Sequence, residues 1–387
     1  MATPLAWLNL KHQKKRTAVA IAGVAIAVLL IFMQLGFYGA AEATATLVYD
    51  ELAFDILLNS PKYIDINRAG QFPAVRLQQA RAVPGVASVV PLWVAFGRWR
   101  NSDAPPRFAF KPQNIMIVGL RPEDSVFRAG GKNLKAILDR FQQRLQIPGH
   151  ALVDRRSHEE FGNISPGHSV EVAAERIELL AQFELGTGFG ANGLILVSDL
   201  TFFRIYPQYP PGRVNLGLVR LTAEADPEEV AAQLRAILPA DVTVHTRDEV
   251  RDRERRHWVE QTSIGFIFRL GVGVALIVGV VFVYQVIASD ISNRLHEFAT
   301  LTAMGYGPTY LARVVLQQAL WIAVLGYLPG FLGALGLYAL AYQATGVPIS
   351  MTVTRAVVVF GLTTLMCAIS GILAVRKVHR ADPAELF

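Results

Sequence analysis

The chain has 387 residues, 52% of them hydrophobic and only 18% charged, with a mean hydropathy of +0.34 and a formal charge of +6. That excess of apolar residues excludes an ordinary soluble globule and points to membrane spans beside a soluble part. The modest positive charge lies largely beside apolar stretches, which suits lipid headgroups and excludes a nucleic-acid footprint.

A segment leading into the membrane occupies residues 1–16, with Lys11, Lys14, Lys15 and Arg16 before the first apolar run. That run, Thr17–Tyr38, carries no charge. Gly39-Ala40-Ala41-Glu42-Ala43 offers small residues for signal cleavage, but the run exceeds a signal core of roughly 7–15 residues. An uncleaved anchor over 17–39 is expected.

Residues 40–263 read as an α+β domain outside the cytoplasm. Strand-like runs occur at Ala87–Leu92, Asn114–Gly119 and Leu194–Val197, each bounded by Gly, Pro, Asn or Asp. Leu216–Leu221 reads as a strand. Asp226 and Pro227 then open a helix to about Leu238, with Val230, Leu234, Ile237 and Leu238 on one face. Val242-Thr243-Val244 returns as a strand, completing a β-α-β element of the kind found in ferredoxin-like domains. An earlier copy is suggested by a helix over Val75–Ala82, a break at Pro84-Gly85 and a strand over Val86–Pro91.

Signals for chemistry in this domain are weak. Gly130-Gly131-Lys132 lacks the earlier glycine and the hydroxyl residue of a phosphate loop, and no such loop occurs in the chain. Gly188–Gly193 spells GxGxxG, but a strand follows where a dinucleotide site needs a helix, so a turn is expected. His150, His158 and His168 fit no metal-ligand spacing and read as surface residues. Ser198-Asp199 sits in no nucleophile elbow. The lone Cys367 permits neither a disulfide within the chain nor a thiolate cluster. No metal, cofactor or enzymatic activity is expected.

Arg251, Arg253, Arg255 and Arg256 alternate with Asp252 and Glu254, so a charged helix standing above the membrane is expected there. The second span, 264–288, carries only Arg269, placed near the outer interface with its head snorkelling or paired. A loop over 289–313 follows, then a third span over 314–343, a short outer loop over 344–355, a fourth span over 356–375 and a tail over 376–387. No span contains an acid, which argues against proton coupling. Gly271, Ala275 and Gly279 in the second span, and Gly326, Gly330, Gly333 and Gly336 in the third, set small residues along one side for helix packing. Basic residues before the first span, at Arg294 and at Arg376, Lys377 and Arg380 put both termini and the 289–313 loop in the cytoplasm.

Within that loop Ile291, Leu295, Phe298, Leu301 and Met304 recur at three- and four-residue steps and make one apolar helical face. Gly305 ends the helix. The face suits an interfacial helix on lipid, a connector or a docking ledge for a partner.

The run Asn293–Tyr306, with Leu295-His296-Glu297-Phe298 and Leu301-Thr302-Ala303-Met304-Gly305, resembles the segment after the second span of the FtsX-like (MacB-type) permeases. The tail Arg380–Glu385 and the opening Leu5–Leu10 resemble that family's two ends, and the nearest likeness is to the DevC-like exporter permeases. The arginine that many members carry before the glutamate is His296 here. The resemblance implies an α-helical membrane protein with four transmembrane helices and a MacB-like α+β extracytoplasmic domain between the first and second. It also implies a multi-pass protein of the inner (plasma) membrane, acting as a dimer in a tripartite efflux system. A separate ABC ATPase would hold ATP and Mg and dock at Leu295, His296, Glu297, Phe298, Leu301, Met304 and Gly305. A periplasmic adaptor and an outer-membrane channel would complete the assembly, exporting a lipid, glycolipid or other hydrophobic cargo. The alternative is an FtsX-like regulator of a cell-wall hydrolase.

Overall fold

The computed structural model describes residues 14–100, 111–129, 133–186, 192–293, 308–345, 347 and 349–380. The chain divides into two compact units, Ala41–Thr262 and a membrane unit comprising the rest.

The inserted unit is built on strands β1 Ile56–Asn59, β2 Phe72–Pro73, β3 Val86–Arg100, β4 Gln113–Leu120, β5 His150–Asp154, β6 Ser169–Val172, β7 Glu175–Phe183, β8 Leu194–Ser198, β9 Arg213–Val214, β10 Leu216–Leu221 and β11 Thr243–Thr246. Its principal helices are α1 Val75–Arg81, α2 Leu134–Leu145, α3 Pro227–Ile237 and α4 Arg247–Arg256. Two split β-α-β units, β1-α1-β3 and β10-α3-β11, interleave in the order β11-β1-β10-β3, all neighbours antiparallel. This is the ferredoxin-like arrangement. Ile56 and Leu58 join Leu77, Ala80, Val230 and Leu234 of the two helices in one core. Leu57 and Leu218 turn to the opposite face and meet Tyr63, Ile66 and Val250. Both sheet faces are covered, which is why β1 and β10 are apolar runs rather than alternating ones. Gly217 lets α1 approach β10 closely: a Cβ there would fall 2.4 Å from Leu77 Cδ2.

α3 starts at its aspartate cap, with the Asp226 carboxylate accepting from the Glu228 N–H at 3.1 Å. Val230, Leu234 and Leu238 are buried, but Ile237 points to solvent at 59% exposure and leaves the expected face. Gly85 makes the turn before β3 at φ +86°, where a side chain would be strained. β3 itself runs well past Pro91, to Arg100. Its first half pairs with β10 and its second half with β4, so one strand serves two sheets.

The second sheet follows β3-β4-β8-β5-β7-β6, and pairing of Trp99 with Val172 and of Arg100 with Glu171 brings β6 back to β3 and closes a six-stranded ring. Ile115, Ile117, Val153, Ile177 and Ile195 share one core with Trp99. The alternate positions Met116, Leu152 and Leu196 share the other with Leu134, Leu138 and Leu145 of α2. The period of two along each strand sorts them.

The membrane unit holds four long helices, Lys14–Ala45, Ser263–Asn293, Pro308–Thr345 and Val353–Arg380, each long and apolar enough to cross a bilayer. Val24, Val28, Ile31 and Phe32 of the first join Ala275, Val283 and Ile287 of the second, Ala319, Ile322 and Ala323 of the third, and Met366, Cys367 and Ala374 of the fourth. The outward faces are apolar too: Ile267, Val274, Ile277 and Val281 are each more than half exposed. A helix apolar all round needs lipid as its solvent. Pro329 lies inside the third helix, which continues through it. The protein is therefore a four-helix membrane protein with an α+β domain between helices one and two.

Candidate functional site

The expected docking residues Leu295, His296, Glu297, Phe298, Leu301, Met304 and Gly305 lie outside the described residues, as do 1–13 and 381–387. The flanks of that loop are defined. The second helix is described as far as Asn293, whose side-chain amide donates to the Ser289 carbonyl at 2.6 Å. One turn earlier Asp290 accepts from Gln318 Nε2 at 2.8 Å, tying the second helix to the third beside the loop.

The small residues of the spans sit at close helix approaches. A Cβ on Gly330 would fall 2.7 Å from the Ala25 carbonyl oxygen and 2.8 Å from Val28 Cβ. One on Gly326 would fall 2.6 Å from Val24 Cβ, and one on Gly333 2.9 Å from Leu29 Cδ1. Gly271 faces the Gln34 side chain and Gly279 faces Met366, while Ala275 is buried at 4% exposure. Gly336 differs: nothing lies within 4 Å of a Cβ built there, so it faces away from the other helices. Arg269 donates to Tyr38 Oη at 2.9 Å and lies over the Tyr38 ring, so its head is paired. Arg355 reaches the Ser350 carbonyl and lies 6.0 Å from the Tyr338 ring centroid.

In the inserted domain the charged run 247–256 does form a helix, but it does not stand free. A full capping box opens α4: Thr246 accepts from the Glu249 N–H, and Glu249 accepts from the Thr246 N–H at 2.9 Å. Arg247 donates to the Tyr49 carbonyl at 3.0 Å and the Leu52 carbonyl at 2.6 Å, with its guanidinium 4.5 Å over the Phe54 ring. Arg251 pairs with Asp50 at 3.0 Å, and Arg253 donates to the Tyr63 carbonyl at 2.7 Å. Only Arg255 and Arg256 of the four alternating arginines are exposed. Arginine forks suit this role because each satisfies several carbonyls at once. Thr246→Ala is expected to cost about 1 kcal/mol and to speed amide exchange across 247–256; unchanged exchange would show that the cap is dispensable.

Glu254 lies at the centre of this attachment with no exposed surface. Its Oε1 accepts from Tyr63 Oη, which is itself hydrogen-bonded to Tyr49 Oη. Its Oε2 has no partner among the described residues. Burial pushes the carboxyl up to about 7 and the nearby Asp65 charge adds to the shift, while the two tyrosines and Arg253 oppose it. Burial likewise holds both tyrosines well above their usual range. Beside them Asp65, 2% exposed, accepts from Arg68 Nη2 at 2.8 Å and lies 3.2 Å from His257 Nε2. His257 opens a π-helical turn, His257–Gln261, and its Nδ1 meets Gln261 Oε1 at 3.0 Å. A polar cavity of about 640 Å³, lined by Tyr63, His245, Asp252, Arg253, His257 and Gln261 among others, opens against this cluster. Sequence reasoning missed the cluster, since Glu254 sits in a run that reads as solvated.

Of the other sequence signals, residues 130–132 and 188–191 lie outside the described residues. Gly193 is followed directly by β8, and a Cβ on it would strike the Phe161 ring, so no helix N-terminus is there to hold a pyrophosphate. His150 meets the Ile147 carbonyl at 3.0 Å and lies 3.8 Å from Glu178. Among the described residues no cluster of His, Cys, Asp and Glu could hold a metal.

Comparison with the curated proteins gives no match. Among solved structures, the extracellular domain of the noncanonic ABC-type transporter YknZ from Gram-positive bacteria aligns with a TM-score of 0.33 at 13% identity, covering 50% of this chain and 100% of that one. The periplasmic region of MacB from Actinobacillus actinomycetemcomitans aligns with a TM-score of 0.35 at 8% identity, covering 53% of this chain and 94% of that one. Both likenesses are loose. The membrane unit gives the sharper result: residues 269–383 match the family model described as the FtsX-like permease C-terminal domain. That stretch takes in most of the second helix, the third, the fourth and the loop between the second and third. Over residues 269–383, then, the chain carries an FtsX-like permease C-terminal domain.

Proposed function

We propose that the chain is the permease subunit of an ABC-type exporter of the DevC-like kind. It relays force from a separate cytoplasmic ATPase to the inserted domain, which is held outside the cytoplasm. The cargo is a lipid, glycolipid or other hydrophobic compound. Two copies pair, and the inserted domain meets a periplasmic adaptor and an outer-membrane channel. The observation that carries this reading is the family match over 269–383, which takes in the loop bearing the apolar stripe. The lack of a phosphate loop anywhere in the sequence supports a separate ATPase. Two features suit a relay rather than a pore. The Asp290–Gln318 bond ties the second helix to the third, and the carbonyl-anchored arginines of α4 hold that helix to the body of the inserted domain.

In this reading both termini are cytoplasmic. Phe298, Leu301 and Met304 make the apolar contact with the ATPase, and Glu297 makes a polar one at its rim. Leu301→Arg is expected to lower co-purification of the ATPase at least about tenfold, the size of one interface hot spot, while leaving the permease in the membrane. Undiminished recovery with normal export would remove the docking role. Affinity capture on the inserted domain should retain an adaptor; retention of a cell-wall hydrolase instead would assign the chain to the regulators.

A further inference from the structure

Helix α4 is held to the inserted domain by two kinds of contact. Its first half is fixed by the capping box, by Arg247 on two backbone carbonyls and by the Arg251–Asp50 pair. Its second half is seated by Glu254, which has no exposed surface, on Tyr63 and through it on Tyr49. The turn that follows, His257–Gln261, is π-helical, a form that is rare and often marks a functional site. It is held at His257, 3.2 Å from Asp65, and by Val259, which is buried. At Ser263 the chain enters the second long helix.

The weak member of this seat is Glu254. Among the described residues no cation pairs with it. Arg253 turns to the Tyr63 carbonyl and lies 3.3 Å from His245 Nε2 of β11, Arg251 goes to Asp50, and Arg68 goes to Asp65. The groups acting on it are Tyr49 from the helix Leu47–Glu51, Tyr63 and Asp65 from the segment 60–68, and Arg253 of α4 itself. The strands beneath present apolar side chains, Leu57 of β1 and Leu218 of β10. A neutral carboxyl can rest in such a place. A carboxylate there would be a buried charge with Oε2 bare. Tyr63 also lines the polar cavity of about 640 Å³, so a path for the proton to solvent lies one side chain away.

We propose that Glu254 is a proton-operated latch. While its carboxyl is protonated, the second half of α4 and the π turn stay seated on Tyr63 and Tyr49. Loss of the proton to water releases residues 254–261 while the first half of the helix holds. The direction follows from burial. The seated carboxyl is pushed up to about 7, and on release it returns toward its ordinary 4.5. The seated form is therefore favoured at low pH and yields as pH rises to about 7. Beyond that both forms are ionised and the balance levels off. Between pH 5 and 8 the ratio of released to seated form rises on the order of 50-fold. The latch belongs to the inserted domain alone and stands whether or not the chain is an exporter. In the orientation under Proposed function it meets the pH outside the cytoplasm.

The test is hydrogen–deuterium exchange of the full chain in detergent from pH 5 to 9, each amide corrected for its chemical exchange rate. Opening of 254–261 should increase on the order of 50-fold between pH 5 and 8, while 247–252 keeps its protection. Glu254→Gln should flatten the profile of 254–261. Tyr63→Phe removes a hydrogen bond that favours the ionised carboxyl, so the rise should move to higher pH. Protection of 254–261 that does not change with pH would overturn the proposal. So would loosening of 247–252 in step with 254–261, because the helix would then leave as one body. A Glu254→Gln chain that keeps the parent profile would put the charge change on another group and overturn it as well. Should Glu254→Gln fail to fold, Tyr63→Phe decides alone, and an unmoved midpoint counts against the latch.

Discussion

Glu254→Gln is expected to make the inserted domain more heat-resistant relative to the unmodified chain as pH rises from 5 to 8. Folding takes this carboxyl from an ordinary value of 4.5 to about 7, chiefly by burial. A raised carboxyl favours the protonated folded state. Its contribution is fully present below pH 4.5 and is lost as pH climbs through about 7. That shift corresponds to on the order of 3 kcal/mol, or roughly 6–12 °C in melting temperature for a domain of this size. Glutamine keeps an acceptor for Tyr63 but cannot ionise. Its amide N–H groups would lie near the site of Oε2, which has no partner among the described residues, so the variant starts with a cost that does not change with pH. The readout is therefore the difference between variant and parent against pH, followed by tryptophan emission, to which Trp93, Trp99 and Trp258 of this domain contribute. A difference that stays flat from pH 5 to 8 would mean that Glu254 does not carry its charge into a buried site.

The parts of the fold that could be read in advance are those whose physics is local. Lipid demands long apolar helices, so four runs sufficed for four spans. The β10-α3-β11 element announced itself through Asp226 and Pro227, a cap and a first turn that need no tertiary partner. β1 did not. Ile56-Leu57-Leu58-Asn59 is a four-residue run buried on both faces, so it shows no alternation and is too short to stand out. The strand pattern in the sequence marks β3 only over Val86–Pro91. The chain nevertheless continues past it, with Pro91 paired to Gly217, to join the second sheet. The closing of that sheet by β6 depends on partners more than seventy residues apart, and no local signal encodes it.

The site divides the same way. The glycines that meet other helices could be named because small residues at three- and four-residue steps are a property of one helix face. Gly336 fitted the same step and yet faces away, since spacing says nothing about which side has a neighbour. Glu254 was hidden by its company. A glutamate among arginines reads as a solvated face, and its burial is created by Tyr63, 191 residues earlier in the chain. The same holds for Arg247 and Arg253, whose partners are backbone carbonyls that no side-chain pattern can disclose.

Gly330→Leu is expected to prevent the first and third long helices from meeting. The atoms facing Gly330 are the Ala25 carbonyl oxygen at 2.7 Å and the branched Val28 Cβ at 2.8 Å from an added Cβ. Neither lies at the end of a flexible side chain, so neither can rotate away, and the backbones themselves must part. Forcing even one extra carbon into a filled interior costs about 1–3 kcal/mol, and leucine adds three more carbons beyond the Cβ. Membrane helices associate through close contact rather than a hydrophobic drive, so the lost contacts around Val24, Val28 and Gly326 are not recovered from water. Gly330→Ala should lower the melting temperature of the detergent-purified chain measurably. Gly330→Leu should lower the yield of monodisperse protein several-fold. Gly336→Leu, six residues on with open space around its Cβ, should leave both unchanged. If Gly330→Leu and Gly336→Leu behaved alike, helix content rather than the close approach at Gly330 would govern the bundle, and the third helix could not be seated on the first at this point.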